Sequence, residues 1–223
     1  MTEPGVAGRT VLVTGATGSA GRVVVRALLD AGARVVAVGS DEGRLDALEA
    51  ELPGVVGERA DLADGDDVLE LAMRVHARVG DVDGVIHLVG GWRGGGGIPG
   101  QSDDDFRYLE QSFTALRNVS RAFWDDLLAS HAGRIAIVSS TTVTAPTAGG
   151  ANYAAVKAAS ESWMRSLAHG FTTAGASAGT TAAAVTFRVR ALAGLEGRLA
   201  ASVVDLWRAD ATTLNGTVTE LTA

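Results

Sequence analysis

Short apolar, β-branched runs alternate with longer helical patterns along nearly the whole chain. That rhythm restricts the fold more than any other feature. Residues 10–14 (TVLVT), 34–38, 55–59, 82–89, 134–139 and 182–189 read as strands, with a last strand near 216–221. Residues 18–31, 42–51, 64–79, 102–130, 150–171 and 196–207 read as the helices between them. Strands apolar on both faces are buried on both faces, and helices of this length are the crossovers between parallel strands. The pattern predicts an α/β fold, a doubly wound parallel sheet of about seven strands with helices on both faces. At 223 residues the chain, 1–223, reads as a single domain.

Composition narrows the function classes. Nineteen basic against twenty-six acidic residues leave a formal charge of −7, which argues against nucleic acid or an anionic membrane as partner. With no cysteine, disulfide frameworks, thiol nucleophiles and cysteine metal sites are excluded. MTEPGVAGRT has neither the charged nor the apolar segment of a leader, and no apolar run approaches the roughly twenty residues that span a bilayer. A cytoplasmic protein is the expectation. His76, His87, His131 and His169 are scattered, none at ligand spacing to another, so no metal site is expected. Residues 90–100 (GGWRGGGGIPG) read as a mobile loop, and 172–181 as a flexible link or frayed helix end. Asp103-Asp104-Asp105 reads as cap and dipole partner of the helix that follows.

Three groupings carry chemistry. The turn Thr14-Gly15-Ala16-Thr17-Gly18-Ser19-Ala20-Gly21 leaves the first strand and opens the first helix. Glycines there let the backbone approach a pyrophosphate, which rests on the free N–H groups of the helix. Tyr153 and Lys157 stand four apart in a helical segment, so they share a face. An ammonium beside a phenol favours the phenolate and makes an acid–base pair. Eighteen of the nineteen cations are arginine; with two tyrosines and one lysine, chance gives this spacing about 2 times in 223. Ser139-Ser140 ends the fifth strand, where a hydroxyl can hold a substrate oxygen.

From about residue 10 to 165 the chain resembles the short-chain dehydrogenase/reductase family. The resemblance implies a Rossmann-type fold, a nicotinamide cofactor, and interconversion of a carbonyl and a secondary alcohol on a small-molecule substrate. It implies Ser140, Tyr153 and Lys157 as catalytic residues, with Tyr153 exchanging the proton. It also implies a cofactor held by Gly15, Thr17, Gly18, Ser19, Ala20, Gly21, Ser40, Asp61, Leu62, Val89 and Gly90, with Tyr153 and Lys157 reaching its ribose. Association into a homodimer or homotetramer follows by the same likeness.

Several positions depart from the family pattern. Ser19 replaces a glycine, and His87-Leu88-Val89-Gly90 replaces Asn-Asn-Ala-Gly. Ser112 stands near the usual fourth catalytic asparagine, and residues 188–196 lack the usual Pro-Gly, which implies a shortened substrate region around 188–210. The second strand is followed by Gly39-Ser40-Asp41 with no acid at the position that reads the ribose, a lean toward NADP over NAD. Arg44 and Arg22 are the nearby cations, and Trp92 in its glycine loop is a candidate substrate contact. A non-catalytic NAD(P) sensor on the same fold is the rival reading, and an epimerase or dehydratase a third.

Overall fold

The computed structural model describes residues 5–178 and 181–222. Seven parallel strands form one sheet: β1 (Thr10–Thr14), β2 (Arg34–Gly39), β3 (Val55–Arg59), β4 (Gly84–His87), β5 (Arg134–Ser140), β6 (Ala183–Val189) and β7 (Val218–Glu220). Their order is β3-β2-β1-β4-β5-β6-β7. The winding reverses between β1 and β4, whose last residues, Thr14 and His87, stand side by side. In such a sheet the crevice outside the strands' carboxyl ends at that switch point is where ligands bind.

Alternation along each strand divides the apolar residues between two cores. Val11, Val13, Val35, Ala37 and Ile86 face one layer with α1 (Ser19–Asp30), α2 (Glu42–Glu51) and α7 (Glu196–Asp205). Leu12, Val36, Val85, Ile135 and Ile137 face the other with α3 (Gly65–Val79), α4 (Asp103–Ala122) and α6 (Ala151–Ala178). Two short helices, α5 (Trp124–Ala129) and α8 (Ala211–Leu214), complete the set. Among the described residues no helix is long and apolar enough to cross a membrane.

Several element boundaries differ from the pattern reading. The helix expected over 102–130 is two, because the Phe123 backbone (φ −106°, ψ 16°) leaves helical geometry between α4 and α5. Ser102 rather than an aspartate caps α4, its Oγ accepting from Asp105 N (3.2 Å); Asp103, Asp104 and Asp105 occupy the first turn, where they oppose the dipole. The strand expected over 82–89 pairs only from Gly84 to His87. Residues 172–178 are helix, not link; Thr172 and Thr173 return their hydroxyls to the Ala168 and His169 carbonyls (3.1 and 2.9 Å). Residues 179 and 180 of that stretch lie outside the described residues. The helix expected over 196–207 ends at Asp205 and α8 was not anticipated. Trp207, buried, lies on Gly84, where a Cβ would come within 2.4 Å of the indole.

Candidate active site

The turn between β1 and α1 is built by glycines with different duties. Gly15 has φ +71°, and a Cβ there would stand 2.9 Å from the Leu88 carbonyl carbon. Both backbone and neighbouring strand therefore demand glycine. A Cβ on Gly21 would meet the Gly15 oxygen at 2.3 Å, so this glycine seats α1 against the turn. Gly18 is the N-cap and offers no side-chain cap. A Cβ on it would meet only the Gly15 oxygen, at 3.4 Å, so the space over the helix start is open. The first-turn N–H groups are thus left to a ligand.

That space belongs to a cavity of about 430 Å³. Gly15, Thr17, Gly18, Ser40, Asp61, Leu62, Val89 and Gly90 line it. Ser19, Ala20 and Gly21 do not; Ala20 and Gly21 are buried under the turn. Arg44, Tyr108 and Gln111 line it as well. Tyr108 and Gln111 come from α4, and no local sequence signal marks them. Arg22 is instead held by Glu51 on α2.

A second cavity, also about 430 Å³, adjoins the first through Leu88, Val89 and Gly90. Ser140, Tyr153 and Lys157 all line it. Consecutive strand residues point opposite ways, so Ser139 turns into the protein while Ser140 faces the cavity. Ser140 Oγ accepts from Thr142 N (3.2 Å) and Thr142 Oγ1 (3.0 Å), which leaves its own hydrogen to be donated toward Tyr153 and the cavity. Lys157 Nζ donates to the Val138 carbonyl (2.9 Å) and lies 5.8 Å from the Tyr153 ring centre. A Cβ on Gly90 would be 3.5 Å from that Nζ, so a glycine here gives the ammonium room.

The charge states differ in part from the simple pairing of phenol and ammonium. Burial pushes the Tyr153 phenol above its ordinary value, and the Ser140 hydroxyl pulls it back only partly. Burial lowers Lys157 to about 8, against the pull of Glu161 in the other direction. Lys157 remains mostly charged at neutral pH.

Behind the cavity, Ser139 Oγ donates to Glu161 Oε1 (2.7 Å). Arg188 closes a two-pronged pair on the same carboxylate, Nε to Oε1 at 2.8 Å and an Nη to Oε2 at 2.6 Å. Burial raises the Glu161 carboxyl, but Arg188 and Ser139 outweigh it, and the net shift is down. Glu161, 1% exposed, continues the helical ladder of Tyr153 and Lys157 by one more turn. It ties β5, α6 and β6 together beneath the three candidate catalytic residues.

His87 occupies the end of β4. Its Nδ1 is 2.8 Å from Thr14 Oγ1 and its Nε2 3.3 Å from the Ser112 carbonyl. A carbonyl only accepts, so Nε2 carries the proton and Nδ1 accepts from the threonine. Burial lowers the ring to about 4, the Ser112 carbonyl opposes this, and Lys157 adds to it. His87 is therefore neutral in the fold at physiological pH. Its folded pKa lies below the 6.5 of a free histidine, so the unfolded chain takes up the proton first and stability falls as pH drops from 6.5 toward 4. Against His87→Asn, the wild type is expected to lose up to about 3 kcal/mol over that window. Melting curves of both proteins from pH 7 to 4.5 test this; parallel curves would sink it.

The loop at 90–100 is tied down. Gly95 N donates to the Gly149 carbonyl (2.7 Å), and Gln101 Nε2 reaches the Gly95, Gly97 and Gly149 carbonyls at 3.0, 3.1 and 3.0 Å. Asn152 N donates to Gln101 Oε1 (3.1 Å), fixing the loop to the start of the helix that carries Tyr153. Trp92 lines the second cavity. The other tryptophans pack: Trp124 stacks on Phe171 (4.7 Å between centres), and Trp163 donates to Ser120 Oγ (2.9 Å). Among the described residues His76, Asp81 and Asp126 bring ligand-type atoms within 4.8 Å of one another. Asp126 is already engaged there, by His76 Nε2 (2.8 Å) and Val82 N (3.0 Å).

Fold and site together define a doubly wound α/β chain with two adjoining cavities at the carboxyl ends of its strands. The family model for short chain dehydrogenases matches residues 9–186, and the chain belongs to that family. It is 30% identical over 165 residues to the 3-oxoacyl-acyl-carrier-protein reductase of Salmonella typhimurium, covering 72% of this chain and 66% of that one. To nodulation protein G of Rhizobium meliloti it is 32% identical over 166 residues, covering 72% and 66%. A short chain dehydrogenase of Pseudocercospora fijiensis matches at 29% over 167 residues, 72% of this chain and 54% of that one. The matched region thus spans between about half and two thirds of these relatives. A solved putative short chain dehydrogenase from Pseudomonas syringae superposes with a TM-score of 0.85 at 24% identity, covering 99% of this chain and 97% of that one.

Proposed function

We propose that the protein is an NAD(P)-dependent oxidoreductase that interconverts a carbonyl and a secondary alcohol. The observation that carries this reading is the convergence of Ser140, Tyr153 and Lys157 on one cavity that opens into the glycine-lined space over α1. The open face of Gly18 and the uncapped start of α1 suit a dinucleotide's phosphates. When bound, the nicotinamide supplies or accepts the hydride. Ser140, beside Tyr153, donates its hydroxyl hydrogen to the substrate oxygen. Tyr153 gives that oxygen a proton in reduction and takes it in oxidation. Lys157 stabilises the phenolate so formed and reaches the ribose hydroxyls as a compact ammonium. The test is consumption of NADPH or NADH over a panel of ketones and aldehydes; binding of either cofactor with no turnover overturns the enzyme reading.

The same reading takes NADP over NAD. Ser40 and Arg44 both line the first cavity, and the Arg44 guanidinium has no hydrogen bond or ion pair among the described residues. An unpaired guanidinium suits a 2′-phosphate. Arg44→Ala is expected to weaken NADPH binding about tenfold and NADH binding by less than about twofold. Calorimetric titration with both cofactors decides, and equal weakening removes the preference. A homodimer or homotetramer through α4 and α6 belongs to this reading, supported by the half-buried group of Phe113, Arg117 and Trp163 on those helices.

One observation favours a cofactor-binding sensor as the second reading. Ser112 stands near where the family resemblance puts a fourth catalytic asparagine, and its carbonyl is taken by His87 (3.3 Å).

A further inference from the structure

We propose that the substrate carries a carboxylate or similar anionic group, received by Arg190 at the rim of the second cavity while Trp92 covers its apolar body. The inference rests on the oxidoreductase reading and names its substrate class. The cavity wall is largely apolar, from Leu88, Val138, Val189 and Leu192. Two charged side chains line it, Lys157 and Arg190; both are cations, and no carboxylate is among the described residues of the lining. Lys157 is committed to the Val138 carbonyl. Arg190 is exposed, and its guanidinium makes no hydrogen bond, ion pair or ring contact among the described residues.

Its neighbour shows what an arginine does when an acid is within reach. Arg188, two residues earlier, forms the two-pronged pair with Glu161. In a chain with twenty-six acidic residues, Arg190 stands instead beside a cavity that has none. Its planar fork matches a carboxylate, and at a partly apolar rim the pairing is less screened than in open water. Trp92 is 63% exposed, yet its loop is held by Gln101. Gly94 lets the indole lie close, since a Cβ there would come within 3.2 Å of it. A flat apolar surface fixed in this way suits a ring or chain of the substrate.

The cofactor's own phosphates are the other source of anionic charge. Arg190 does not line the cavity that holds the glycine cradle, which favours the substrate. The probes are 4-acetylbenzoate and its neutral isostere 4-acetylbenzamide, tested for binding to the NADP⁺-loaded protein and for reduction with NADPH. The expected result is a preference for the carboxylate of about tenfold in affinity and in kcat/KM. Arg190→Ala is expected to bring that ratio to about one, and Arg190→Glu to reverse it. Equal affinities for the two probes in the wild type, weak or strong, overturn the inference. So does an Arg190→Ala variant that keeps the ratio but binds NADPH about tenfold more weakly, since the arginine then serves the cofactor. Preferential binding of the carboxylate with no turnover of any carbonyl keeps the anion site and removes the oxidoreductase reading.

Discussion

Tyr153→Phe is expected to lower kcat for carbonyl reduction by about a thousandfold, within the range that positioned acid–base groups contribute. The change removes one oxygen. Helix α6 is undisturbed by it, because the ring still packs and Lys157 still reaches the Val138 carbonyl. NADPH affinity is therefore expected within about fivefold of wild type, since a single neutral hydrogen bond is worth about 1 kcal/mol or less. Single-turnover kinetics and a fluorescence titration of NADPH read the two quantities separately. A variant with near wild-type turnover ends the proposed proton role. A variant that loses cofactor binding and turnover together moves Tyr153 from proton exchange to binding.

The second large effect concerns stability. Glu161→Ala leaves the Arg188 guanidinium and the Ser139 hydroxyl without their partner. Removing one member of a buried pair costs about 3–5 kcal/mol where both charges are fully enclosed. Arg188 retains 21% exposure and can recover some water, so the low end, about 3 kcal/mol, is expected. For a chain of this length that corresponds to a fall in Tm of roughly 6–12 °C. Glu161→Gln, which keeps the shape and one acceptor, is expected to lose less. A Tm within about 2 °C of wild type for the alanine variant would show that the network contributes little to stability. Its position under Lys157 gives a second reading of the same experiment: in whatever Glu161→Gln protein folds, Lys157 loses the carboxylate that holds its pKa up. The ammonium then discharges at lower pH, and the alkaline limb of kcat moves down.

Much of the fold was legible because its signals are local. The six longest strands follow from runs that must be buried on both faces, and the turn at Gly15 to Gly21 follows from what glycine alone permits. The break at Phe123 was not legible. The helical pattern continues through it, and Phe123 is fully buried, its ring edge-on to His76 of α3. The extension of α6 through residues 172–178, where the sequence leaves a link and a helix end both open, is decided in a similar way. Threonine and glycine lower helix propensity only modestly, and packing across Phe171 outweighs them.

The candidate site divides in the same manner. A lone lysine four residues after a tyrosine, thirteen beyond Ser140, marks a helix face and a strand end, and those are properties of spacing. Which arginine can meet a ligand is not. Arg22 and Arg44 look alike in the chain, yet Glu51 on α2 occupies the first, while the second, beside Ser40, pairs with none of the described residues. Arg188 and Arg190 differ by two positions, and the buried carboxylate on α6 separates their uses. His87 is the sharpest case: its side chain is neutral because burial in a dry core outweighs the Ser112 carbonyl, which by itself favours the charged ring. Sequence by itself determined the class of fold, the family and the chemical groups, since periodicity, glycine and spacing act over a few residues. Tertiary structure decided which of those groups are paired, buried or free, because charge and solvation depend on neighbours that the chain brings together only on folding.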